Sequence, residues 1–89
     1  MNTYNLLSVL DNAKYSSLRI VSEDNESPFT IVLDNIKMTY HKEDNSVIIA
    51  NRHGRMYIDE PQEIITQGQD VYSFKADNLL FELLIIRDK

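Results

Sequence analysis

From Leu18 onward the apolar residues of this chain recur mainly at every second position, among Ile, Val, Thr, Tyr and Phe, and this limits the chain to a fold built on a sheet. Successive side chains of a strand point to opposite faces, so a two-residue period gives each strand one core side and one solvent side. Segments with this pattern lie at 18–22, 29–33, 36–41, 47–51, 56–58, 64–65 and 71–75. Short polar stretches separate them.

The turns between these segments have their own chemistry. Asp34-Asn35 reads as a two-residue hairpin turn, because both residues tolerate the left-handed conformation, although the usual glycine is missing. Gly54 is expected as the left-handed residue of the next tight return, Gly68 sits in another, and Ala76-Asp77-Asn78 marks the last.

Ahead of the sheet, Leu6, Leu7 and Leu10 recur at helical spacing, Val9 and Ala13 widen the stripe, and Asn2 or Thr3 can cap it. One amphipathic helix over about 3–14 follows, with Ser16-Ser17 ending the pattern and Tyr15 packing at its exit.

The segment 79–86 admits two readings. As a helix it has Asp77 as N-cap but is apolar almost all round; as a strand it carries Leu79, Phe81, Leu83 and Ile85 on one face, and Leu80, Leu84 and Ile86 on the other beside Glu82. We favour the strand. A strand apolar on both faces needs cover on both. This leads us to expect a homodimer, with barrel closure as the competing explanation.

The resulting fold class is α+β: one N-terminal helix packed on a mainly antiparallel meander or small barrel of six to eight short strands, in a single domain over 1–89. A chain of 89 residues has room for one core and buries roughly 60–65% of its unfolded surface. Hydrophobic residues at 43% and charged ones at 26% fit a globular chain.

The absence of cysteine removes disulfides, thiolate metal sites and a cysteine nucleophile together, and fits a cytoplasmic protein. The start, Met1 to Asn5, has no basic or apolar leader pattern, and 79–86 is too short to span a bilayer. Neither export nor membrane insertion is expected.

A formal net charge of -5 and a pI near 4.8 disfavour direct nucleic-acid binding and anionic lipid, whose attraction needs the opposite sign. A basic protein partner suits them better. Against this background Arg52-His53-Gly54-Arg55 gathers two of nine basic residues and one of two histidines. Guanidinium forks match phosphate and carboxylate, so the stretch is a candidate anion site. Phosphate loops, however, feed a glycine pattern into a helix N-terminus, and no helix follows here. The stretch fits a hairpin tip better. With Tyr57 nearby, its arginines are also the residue types that anchor protein interfaces.

Other chemistries find less support. His41 and His53 fall on different elements without a short-spaced ligand pair, and the acidic run from Glu23 to Glu26 lacks the spacing of a calcium loop, so no metal or other cofactor is expected. No serine has a nucleophile-elbow context, and no enzyme is expected.

The acidic residues follow the turns. If Asp34-Asn35 is a hairpin, alternate turns emerge at the same end of the sheet: Glu23, Asp24 and Glu26; Glu43 and Asp44 beside Lys42; Asp59, Glu60 and Glu63; and Asp77. The other end then holds Asp34, Asp70, Arg52 and Arg55. An unbroken strand over 29–41 flips this parity. These patterns describe a noncatalytic, small acidic protein-binding module, an inhibitor or accessory factor that meets a basic partner by surface complementarity. Its candidate binding residues are Arg52, His53, Arg55, Tyr57, Glu23, Asp24, Glu43, Asp44, Asp59 and Glu60. The alternative is an anion- or nucleotide-binding module that uses the turn from Arg52 to Arg55.

Overall fold

The computed structural model describes residues 1–22 and 28–87. Helix α1 (Thr3–Asp11) begins with a reciprocal cap: the Asn2 side chain accepts from the Asn5 N–H at 2.9 Å, and the Asn5 side chain accepts from the Asn2 N–H at 3.1 Å. Leu6 and Leu10 face the core. The helix stops short of the expected 14 because Asn12 caps it and Ala13 already belongs to the first strand. Pairing of Ala13 with Arg87 of the last strand overrides the helical stripe.

Eight strands follow among the described residues: β1 (Ala13–Ser22), β2 (Phe29–Asp34), β3 (Lys37–His41), β4 (Ser46–Asn51), β5 (Gly54–Asp59), β6 (Gln62–Gly68), β7 (Val71–Ala76) and β8 (Leu79–Arg87). All pairings are antiparallel. The larger sheet has the order β2-β1-β8-β7-β6 and the smaller one β3-β4-β5. The architecture is therefore α+β with an N-terminal helix, and the last strand returns to pair with the first.

Strand β1 takes in Tyr15, Ser16 and Ser17, which the polar serines had hidden from a period-two reading. Ser16 is buried, and its hydroxyl accepts from the Ile36 N–H at 3.1 Å. Tyr15 lies on β1 and lines a hollow with Leu10 and Asp11 at the helix end; it is exposed beside Asp34, whose carboxylate holds the Tyr15 hydroxyl above its ordinary pKa.

Asp34-Asn35 does not close a hairpin. Strand β2 pairs with β1 and β3 pairs with β4, so these residues are the corner at which the chain leaves one sheet for the other. Asn35 is left-handed as its type suggested, at φ 52°, and its N–H donates to the Ser16 carbonyl at 2.8 Å. A left-handed residue turns the chain without choosing its next partner. Gly54 has the positive φ expected of it, at 155°, a conformation that residues with a side chain rarely adopt.

The core lies between the inner face of the larger sheet and a cover made by the smaller sheet and α1. Leu18, Ile20, Phe74, Phe81 and Leu83 of the larger sheet meet Val47, Ile49 and Ile58 of the smaller sheet and Leu6 of the helix. Phe74 and Phe81 are direct cross-strand partners and stack at 4.8 Å with nearly parallel rings. On β8, Phe81, Leu83 and Ile85 are buried, whereas Leu84 and Ile86 stand half exposed on the outer face. Arg19 and Glu82, opposite each other on that face, are 3.8 Å apart.

Candidate functional site

Two places on the molecule concentrate chemistry, and turn geometry builds the first. Ala76 and Leu79 pair directly, leaving Asp77-Asn78 as a two-residue loop with φ of 52° and 62°. Both residues are left-handed, as type I′ hairpins require. The loop sets Asp77 beside the end of β5, where the Asp59 N–H donates to Asp77 Oδ2 at 3.3 Å. Asp44, from the β3–β4 turn, and Glu60 join them around one hollow of about 390 Å³.

The electrostatics of this end are unfavourable in the isolated chain. A hydrogen bond shared with the Asp77 carboxyl, followed by repulsion between the two, lifts the Asp59 carboxyl above its ordinary pKa of 3.8. Among the described residues, no lysine or arginine stands at ion-pair distance from Asp44, Asp59, Glu60 or Asp77. Lys75, next to this turn on β7, is used elsewhere: it meets Glu63 at 3.4 Å. Glu60 also has a structural role, since its Oε1 accepts from the Tyr40 hydroxyl at 2.8 Å, tying β3 to the β5–β6 connection and raising the Tyr40 pKa.

The second place is a cleft of about 360 Å³ between β2 and the smaller sheet. Phe29, Ile31, Leu33, Ile49, Met56 and Leu79 line it, with Asn51, His53, Gly54 and Arg55 also contributing. It exists because the larger sheet overhangs the smaller one. Phe29 and Ile31 lie on the core-facing side of β2, opposite Ser22 and Ile20, yet are 44% and 46% exposed. Residues Arg52 and His53 form the β4–β5 turn, where Asn51 Oδ1 accepts from the His53 N–H at 2.9 Å and Arg52 Nε donates to His53 Nε2 at 3.1 Å. Neither Arg52 nor Arg55 has a carboxylate partner among the described residues.

The structure thus brings Asp44, Asp59 and Glu60 together, and adds Asp77, which the turn argument had placed at that end without singling it out for binding. Glu43 belongs to the same turn as Asp44 but does not line the hollow. Glu23 and Asp24 lie outside the described residues. Arg52 and His53 line a hollow that also holds Asp34, His53 and Arg55 line the apolar cleft, none of the three lines the carboxylate hollow, and Tyr57 is exposed on β5. Sequence reasoning missed the cleft, for periodicity assigns a residue to a face without saying whether anything covers that face.

Among the described residues, no group of three or more His, Asp or Glu side chains is arranged to hold a metal ion, and no helix is long and apolar enough to cross a membrane. Comparison with protein-family models, curated proteins and solved structures gave no match.

Proposed function

We propose that the protein is a noncatalytic binding module that receives a basic protein partner at its carboxylate-lined end. The observation that carries this reading is the placement of Asp59 and Asp77 side by side, with Asp77 Oδ2 accepting from the Asp59 N–H at 3.3 Å, Asp44 and Glu60 around the same hollow, and no lysine or arginine at ion-pair distance among the described residues. An arginine or lysine from a partner relieves that repulsion and gains charge-assisted hydrogen bonds. The net charge of -5 extends the attraction beyond contact range and speeds encounter with a basic surface. A protein groove that normally holds nucleic acid has the matching chemistry, which suits an inhibitor or accessory factor.

The test is an NMR titration of the isotope-labelled chain with an arginine- and lysine-rich peptide at low and high salt. Amide shifts centred on Asp44, Asp59, Glu60 and Asp77, weakened by salt and abolished in the Asp59→Asn/Asp77→Asn variant, are expected. Shifts centred elsewhere, or shifts that survive the double substitution, overturn the assignment.

A further inference from the structure

We infer that the cleft between β2 and the smaller sheet is a second, independent binding site, for a small amphipathic carboxylate with an apolar tail. Its volume, about 360 Å³, falls within the roughly 300–1,000 Å³ of ordinary small-molecule pockets. Its walls are apolar side chains, of which Phe29 and Ile31 are inward-facing residues left half exposed. An apolar tail laid there removes that surface from water and completes the core-facing row of β2.

The rim decides the head group. His53 and Arg55 line the cleft, and Arg52 hydrogen-bonds His53, so the β4–β5 turn supplies cationic and N–H donors, with no carboxylate at ion-pair distance from either arginine among the described residues. Gly54 separates them, and a Cβ built there meets nothing within 4 Å, so the rim is open at this point. A guanidinium recognises a carboxylate through paired hydrogen bonds. The chain is otherwise acidic, and this turn therefore differs in sign from the overall charge. The same net charge opposes docking on an anionic bilayer, which favours a free carboxylate over a membrane lipid as the occupant.

Octanoate is a direct probe, with octan-1-ol and octylammonium as tails of equal length bearing a neutral or a cationic head. We expect octanoate to shift the Phe29, Ile31, Ile49, Met56 and His53 resonances saturably, and octylammonium to bind at least about tenfold more weakly, the scale of one charge-assisted hydrogen bond. Arg55→Gln should weaken octanoate about tenfold and leave octan-1-ol unchanged, with an unaltered amide spectrum elsewhere showing that the variant is folded. Ile31→Gln should weaken all three ligands. Equal affinity for octanoate and octylammonium, no saturable shift up to the solubility limit, an Arg55→Gln variant that binds octanoate normally, or shifts centred on Val32, Leu84 and Ile86 of the outer face would each overturn the assignment. The native chain with three ligands already decides the matter if a variant fails to fold.

Discussion

Ile31, Ile20, Phe81 and Phe74 form one cross-strand row on the same face of the larger sheet, but the two ends of this row have different surroundings. Phe74 and Phe81 are fully buried under the smaller sheet and helix, whereas Ile31, on the edge strand, is 46% exposed. Equal hydrophobicity and equal facing thus produce core at one end and an open cleft at the other. What separates them is cover: three strands and a nine-residue helix lie over five strands, and the overhang falls on β2.

The sharpest way to break this comparison is to truncate both ends of the row. Phe81→Ala leaves a cavity in a filled core and should cost about 3–5 kcal/mol of unfolding free energy. Ile31→Ala removes a side chain already half in water and should cost under about 1 kcal/mol. Urea unfolding of both variants measures the difference, and similar losses would show that β2 is covered in solution.

A smaller effect tests what fixes the overhang. Ser16 holds the corner between the sheets, its carbonyl accepting from the Asn35 N–H and its hydroxyl from the Ile36 N–H. Ser16→Ala leaves the buried Ile36 N–H without that partner and should cost about 1–3 kcal/mol. Faster amide exchange should follow at Ile36 and along β2. If exchange quickens uniformly across all strands instead, the corner is not a separate determinant of where β2 sits.

The alternation of apolar residues made most strands legible, including β8, because burial on one face imposes a period of two whatever the neighbours are. The corner was less legible. Asn35 announced a left-handed bend, but whether the chain then doubled back or crossed to another sheet depended on its contact with Ser16, distant in sequence. The acidic end survived this error. Asp44, Asp59 and Asp77 share one hollow even though Asp34-Asn35 is not a hairpin, since the crossing still places the later turns at that end. Cover over β2 left no trace in its residues, as Phe29, Ile31 and Leu33 read as an ordinary core face.

The smallest effect concerns the acidic end. Asp59 is lifted above 3.8 in the fold, so the folded chain holds that proton more tightly than the unfolded chain does. Its contribution favours folding below 3.8 and is lost as pH rises through the folded value, leaving two repelling carboxylates at neutral pH. Asp77→Asn removes the repulsion while keeping an acceptor for the Asp59 N–H, and asparagine tolerates the left-handed turn position. The variant should therefore melt above the parent at neutral pH. That advantage should shrink toward zero as pH falls through the folded value of Asp59 toward 3.8, and should narrow with added salt. Melting curves of the two proteins across this range separate the alternatives: an advantage that persists at low pH belongs to turn conformation, and no advantage at neutral pH means that solvent already screens the pair. Only a pH-dependent advantage leaves this end with an electrostatic deficit for a basic partner to fill, in contrast to the cleft, whose deficit is missing apolar cover.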